Sequence, residues 1–327
     1  MRVVGVTPDA YGGPEALRTF ELPERHAGPG KVRIAVHAAG VNPTDAVVRS
    51  GQAHERHQGA EPPYVPGMDV AGIVDEIGPD TDTDLVVGDR VMAIVMPKGS
   101  HGGYSDSIVL PAASVSRIPA GATLTDAATL PMNGLTARLA LDLLNLPTGA
   151  TLAVTGAPGT LGGYVVQLAK ADGLRVIADA AGPDVELVRR LGADVVVPRG
   201  DDVASRIREA LHAGVDGAVD AALLGELVLP AVRDNGALAA VRPFTGDSPR
   251  GIAIHQVWVR EYRRAQEKLD RLRQQAEDGT LTLRVAGVYP PERAGEAHAR
   301  LERGGARGRL VIRFRDQAAD TGSAGTS

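Results

Sequence analysis

Apolar positions follow two textures along this chain, and the change between them divides it. From residue 152 to 241, short solid apolar runs alternate with stripes at helical spacing. Leu152, Ala153 and Val154 read as a buried strand. After a glycine-rich turn, Val165, Val166, Leu168 and Ala169 mark one face of a helix. The alternation then continues with a strand at 175–180, a helix at 184–191, a strand at 194–197 and a helix at 203–211. A strand at 215–222, a short helix at 227–233 and a strand at 237–241 complete it. Strands joined by helices of this length run parallel, and ligands sit at the carboxyl ends of such strands. The pattern predicts a doubly wound parallel α/β domain.

Outside that stretch the apolar runs are shorter and cut by glycine and proline. Residues 31–38 (KVRIAVHA) alternate with period two, and 69–77 and 88–94 are further candidate strands, so a compact β-rich barrel or roll is expected. Residues 124–144 read as helical segments leading into the glycine turn, and 258–277 as one long amphipathic helix. Candidate strands at 281–285 and 309–314 suggest a return to the first domain. From Asp316 the residues are small and polar, and read as a disordered tail. A chain of 327 residues with 43% hydrophobic content can fill two cores.

The turn between the first strand and the first helix carries the chemistry. In TLAVTGAPGTLGG (151–163), Gly156, Gly159 and Gly162 form GxxGxxG. Glycine lets backbone approach a pyrophosphate, and a helix N-terminus offers free N–H groups and a favourable dipole. The spacing differs from GxGxxG, and glycine triplets arise by chance among 40 glycines. The strand–helix alternation that follows is what makes it a nucleotide-binding signal.

Charge and composition remove several function classes. The net charge of −5 comes with scattered basic residues, which argues against a nucleic-acid surface. No apolar run approaches the ~20 residues that span a bilayer, and MRVVGVTPDAYGG lacks the order of a signal peptide, so a cytoplasmic protein without membrane partners is expected. The absence of cysteine excludes disulfides, thiolate nucleophiles and cysteine-ligated zinc.

Several ordered motifs carry a resemblance across nearly the whole chain. They are VNPTD (41–45), RSG (49–51), PGMDVAGIV (66–74), VGDRV (87–91), GGY (102–104), LPMNGLTA (130–137), the glycine turn and GRLVIRF (308–314). Together they resemble the medium-chain dehydrogenase/reductase superfamily, and within it the zinc-independent quinone oxidoreductase branch. The resemblance implies a GroES-like catalytic domain from residues 1–121 and 255–327, around a Rossmann domain at 122–254. It also implies a homodimer, paired through edge strands at 237–241 and 251–257. Where zinc-dependent relatives hold their metal, the matching positions are Asn42, Met68 followed by Asp69, and Met132, and thioether and amide groups do not make a zinc site.

The chemistry so implied is hydride transfer from a reduced nicotinamide to a small carbonyl-conjugated acceptor, a quinone or an enone. Asn42 is the first catalytic candidate, near the nicotinamide, with an amide able to donate to a developing oxyanion. Closing the turn before Pro43 is its alternative role. Thr44 is the second candidate, and Asp45 reads as a structural helix cap. Val47 and Ala53 stand where quinone-stacking tyrosines would be sought. Tyr64 either lines the pocket mouth or packs against a turn, and His101 is a loop histidine, ordinarily solvated. No general acid stands out, so solvent is left to protonate the product. The implied cofactor contacts are Asn42, Asn133, Thr136, Gly156, Ala157, Gly159, Thr160, Leu161, Gly162, Asp179 and Arg309.

Cofactor choice turns on Asp179, which lies 23 residues after Gly156 at the end of the second strand. An acid there favours NADH. It falls one residue before the acid of NAD-dependent relatives, however, and such a slip reverses the face of a strand. Arg189, Arg190 or Arg199 could compensate, and the resemblance implies NADPH. Two other readings stand beside a quinone or enone reductase. One is a nucleotide-binding member without turnover. The other is an enoyl-thioester reductase, for which no cationic patch stands beside VNPTD.

Overall fold

The computed structural model describes residues 1–315, so the tail expected from Asp316 lies outside the described residues. The chain divides into two compact units. One comprises Met1–Thr129, Val285–Gly304 and the chain from Arg309; the other comprises Leu130–Arg284 with Gly305–Gly308. The second unit therefore reaches beyond the expected limit at 254. Its added residues have structural cause: Ala253–Gln256 pairs as a further sheet strand with Val232–Ala240, and helix Gln266–Glu277 buries Leu269 and Leu272.

In the second unit, six parallel strands stand in the order Val195–Pro198, Arg175–Ala180, Thr151–Thr155, Val215–Asp220, Val232–Ala240 and Ala253–Gln256. The strand before the glycine turn lies centrally. The next two strands extend the sheet to one side and the last three to the other, so the order reverses beside the turn, where such sheets open a ligand crevice. Thr151–Thr155 is wholly buried, as its apolar run requires. The core beneath is built from Ala153, Ile177, Val197, Ile207 and Leu238.

Three expected elements of this region shift. The long helix begins at Gln266, preceded by a 3-10 turn at Val259–Tyr262, because Val257 still donates its N–H to Ala240 and holds the chain on the sheet. The strand expected at 281–285 starts at Val285, since Thr282 is tied to Gln167 by two hydrogen bonds at 3.0 and 3.2 Å. The short helix expected at 227–233 is a 3-10 turn, Gly225–Ala231, interrupted by Pro230.

The first unit is β-rich. Strand Lys31–Gly40 is its centre, pairing antiparallel with Asp69–Ile77, Ser107–Pro111 and Arg309–Arg313. Its burial alternates only at the outer end, because three partners cover the rest. Val32, Ile34, Val36, Val70, Val74, Leu310 and Ile312 fill the core. The return of the chain to this unit is visible in Arg309–Arg313, which lies between Lys31–Gly40 and Val285–Tyr289. No helix among the described residues is long and apolar enough to cross a membrane.

Candidate active site

In the second unit the central strand ends at Thr155 and the chain turns at Gly156, whose φ of 68° suits glycine. Gly159 is the N-cap of helix Thr160–Ala171. A Cβ at Gly162 would lie far inside contact with the Gly156 carbonyl, so that glycine lets the helix sit against the turn. A Cβ at Gly159 would meet the Gly156 oxygen at 3.2 Å, a tight contact, and nothing else within reach, so this position is far less closed than Gly162. The amides of Thr160, Leu161 and Gly162 have no partner inside the helix and are the donors that such an end offers.

The turn is braced on both sides. Asp179 is 2% exposed, and its Oδ1 accepts the N–H of Ala157 at 3.1 Å. Burial holds its carboxyl above the usual range, against the pull of that bond and of Arg199. The carboxylate is thus turned onto the glycine turn and away from solvent. On the other side, Arg284 donates to the carbonyls of Pro158 and Gly159 at 3.1 and 2.8 Å. Next to the turn, Thr155 donates to Asp220 at 2.7 Å, and Asp220 accepts the N–H groups of Leu224 and Gly225. In helix Pro131–Leu144, Thr136 donates its hydroxyl to the Met132 carbonyl at 2.6 Å, while the buried Asn133 side chain has no partner among the described residues.

In the first unit VNPTD forms the start of helix Pro43–Arg49, with Asn42 as N-cap and Pro43 at its first position. Asn42 is 0% exposed and both ends of its amide are engaged. Nδ2 donates to Asp69 at 2.9 Å and to Gly40 at 3.3 Å, and Oδ1 accepts from Arg309. Arg309 also bonds Asp69 at 2.8 Å. The structure therefore brings Asn42, Asp69 and Arg309 together as one buried cluster. Arg309, expected among the cofactor contacts, has its guanidinium on those two residues. Thr44 is half-buried, and its hydroxyl donates to the Met68 thioether at 3.1 Å. Sulfur is a weak acceptor, so that hydroxyl is cheaply redirected. Of the two catalytic candidates, Thr44 has the donor to offer and Asn42 does not.

These residues do not suit zinc. The positions matching the metal ligands hold an amide closed by its own hydrogen bonds and the thioethers of Met68 and Met132, and the carboxylate that follows Met68 is already paired with a guanidinium. A cation beside that carboxylate opposes a second one.

Asp45, expected as the helix cap itself, lies instead at the third position of the helix that Asn42 caps; it is buried and accepts from Asn42 N at 2.8 Å, as the far side of a capping box. It also accepts from Gly67 N and from the Tyr104 hydroxyl, each at 2.9 Å. Tyr64 is buried and stacked on His57 at 4.4 Å, packed rather than presented. His101 is half-buried, and burial with the nearby Arg25 and Lys31 lowers its pKa to about 4, so it is neutral at pH 7 and has no proton to give. Arg49 and Tyr104 stand in the RSG and GGY motifs with no role assigned by the sequence, and Arg284, Asp220 and His298 stand in none. Each acts through partners distant in sequence, and none lies in a pattern that announces a role.

Residues 28–120 match the family model of an alcohol dehydrogenase GroES-like domain, and 191–312 that of a zinc-binding dehydrogenase. The chain is 30% identical to the mitochondrial NAD(P)H oxidoreductase RTN4IP1 of Bos taurus, over 93% of this chain and 87% of that one. It is 28% identical to the quinone oxidoreductase of Sus scrofa, over 92% and 95%. The solved structure of the mycobacterial protein Rv1454c complexed with NADPH superposes with a TM-score of 0.83 at 27% identity, covering 96% of this chain and 100% of that one.

Proposed function

This chain belongs to the medium-chain dehydrogenase/reductase superfamily, among its quinone oxidoreductase-like members, and from that premise we propose that it moves a hydride from NADPH to a quinone or an enone without zinc. The observation that carries the reading is the glycine turn at the carboxyl end of the central strand, packed tight at Gly162 and crowded at Gly159 by the Gly156 oxygen alone. When bound, the reduced nicotinamide supplies the hydride. The amides of Thr160, Leu161 and Gly162 would hold its pyrophosphate, the turn at 156–159, whose Ala157 N–H stays on Asp179, would shape the approach, and Asn133 and Thr136 would contact it further along. Thr44 turns its hydroxyl from the Met68 thioether to the oxygen of the acceptor, where negative charge develops. Asn42 keeps that turn in place through Asp69 and Arg309. Solvent delivers the proton.

The burial of Asp179 supports NADPH over NADH, because a carboxylate committed to Ala157 N–H offers little to ribose hydroxyls and little repulsion to a 2′-phosphate. Both parts of the reading meet in one assay: oxidation of each cofactor by quinones, enones and aldehydes, in excess chelator. We expect quinones or enones to oxidise NADPH at an undiminished rate under chelation. Asp179→Ser is expected to weaken both cofactors and to change their ratio of kcat/KM by less than about threefold, ~0.7 kcal/mol. Cofactor binding with no acceptor turned over would leave a nucleotide-binding protein. A wild type that prefers NADH, with the preference erased by Asp179→Ser, would reverse the cofactor assignment.

A further inference from the structure

We propose that Tyr104, His298 and Arg49 form a positioning relay that keeps the Asp45 carboxylate clamping two turns together, and that this relay sets the acid limit of turnover. The inference rests on the reductase reading of those turns. Oδ2 of Asp45 accepts Asn42 N at 2.8 Å and Oδ1 accepts Gly67 N at 2.9 Å, so one carboxylate joins the turn carrying Asn42 and Thr44 to the one carrying Met68 and Asp69. The Tyr104 hydroxyl donates to Oδ2 at 2.9 Å, and the hydroxyl oxygen of Tyr104 lies 3.0 Å from His298 Nε2. Because the hydroxyl proton points to Asp45, Nε2 carries the ring proton and donates to Tyr104. That leaves Nδ1 as an acceptor, and Arg49 Nη1 stands 3.2 Å from it. Arg49 is held in turn by Glu302 at 2.6 Å and by the Gly12 carbonyl at 3.1 Å. Every donor in the relay runs toward Asp45, and this hydrogen-bond pattern assigns the tautomer.

Asp45, Arg49, Tyr104 and His298 are all buried. Burial pushes Asp45 up to about 6 and His298 down to about 3, with Arg49 adding to the second effect. Tyr104 is held well above the ordinary tyrosine range. Of these three, Asp45 alone changes charge between pH 5 and 8. The other charge acting on it is Arg309, which favours the carboxylate, while Asp69 acts on Tyr104 and helps to keep that phenol protonated. A proton on Oδ2 would place a donor against two donors, the Asn42 amide and the Tyr104 hydroxyl, and would release the clamp.

The test is the pH profile of NADPH-dependent turnover from pH 5 to 9 in wild type, Tyr104→Phe, His298→Leu and His298→Gln. The wild-type acid limb is expected near pH 6. Losing the hydrogen bond to the ionised carboxylate in Tyr104→Phe, or the His298 donor that orients that hydroxyl in His298→Leu, moves that limb up by about one unit, with most of the high-pH plateau retained. His298→Gln is expected to restore the wild-type position, because its amide can still donate to Tyr104 and accept from Arg49. A loss that is uniform with pH and leaves the limb in place would overturn the relay. The same variants are read without turnover by thermal unfolding against pH, each relative to its Asp45→Asn counterpart. With its folded pKa above the unfolded one, ionised Asp45 costs stability, so wild type loses ground as pH rises through about 6. Tyr104→Phe is expected to move that window up by the same unit. If no acceptor is reduced while the unfolding window moves, the reductase reading fails and the relay stands; an unmoved window overturns the relay.

Discussion

Gly162→Ala is expected to destabilise the second unit by about 3 kcal/mol and to lower cofactor affinity at least about tenfold, because the added methyl enters backbone rather than a yielding side chain. Its Cβ would fall on the carbonyl of Gly156 and, at 2.8 Å, on the Cα of Ala157. Helix Thr160–Ala171 would then have to back away from the turn it starts from. Gly159→Val is the contrasting variant. Position 159 has an ordinary φ of −67° and one tight Cβ contact, 3.2 Å to the Gly156 oxygen, against the backbone collision at 162, so the fold is expected to lose about 1 kcal/mol, less than in Gly162→Ala. The valine fills the approach to the helix N-terminus, and affinity is expected to fall by about two orders of magnitude. Urea unfolding and cofactor titration of both variants separate the two effects. Equal affinity in Gly159→Val and wild type would place the phosphates elsewhere.

The second large effect is expected at the buried cluster of the first unit. Asp69→Ala removes the carboxylate that Arg309 and Asn42 share, leaving a guanidinium that is 5% exposed without its counter-charge. Such a loss typically costs 3–5 kcal/mol, far more than a surface ion pair, because desolvation is no longer offset. Adding Arg309→Met removes the stranded charge, so the double variant is expected to be more stable than Asp69→Ala, with a coupling energy above about 2 kcal/mol. Additive losses in a double-mutant cycle would mean that the pair does not act as a unit.

How far the chain could be read from its letters follows from the range over which each residue acts. The glycine turn was legible because strand, turn chemistry and helix stripe lie within one short stretch, and the parallel sheet followed from the alternation. Strand Asp69–Ile77 was legible for the same reason. What escaped depended on contacts from afar. The helix expected from 258 is shortened by a sheet bond at Val257, and the strand expected at 281 is delayed by Gln167. Asn42 looked like a free amide because its partner Arg309 stands 267 residues away. His298, a lone histidine on a helix, meets Tyr104 across 194 residues and Arg49 across 249. Asp179 was the intermediate case: its position was visible, and the direction of its carboxylate needed the turn it bonds.

The central claim is hydride transfer from a reduced nicotinamide to a conjugated acceptor, and the fate of a label tests it most directly. NADPH carrying deuterium at C4 of the nicotinamide, on each face in turn, is incubated with the protein, chelator and an enone, and the product is weighed by mass spectrometry. One face is expected to deliver one deuterium to the product carbon β to the carbonyl, with the neighbouring carbon protonated from water. Product without deuterium from either face, or no product from any acceptor that the protein is offered, would contradict the account.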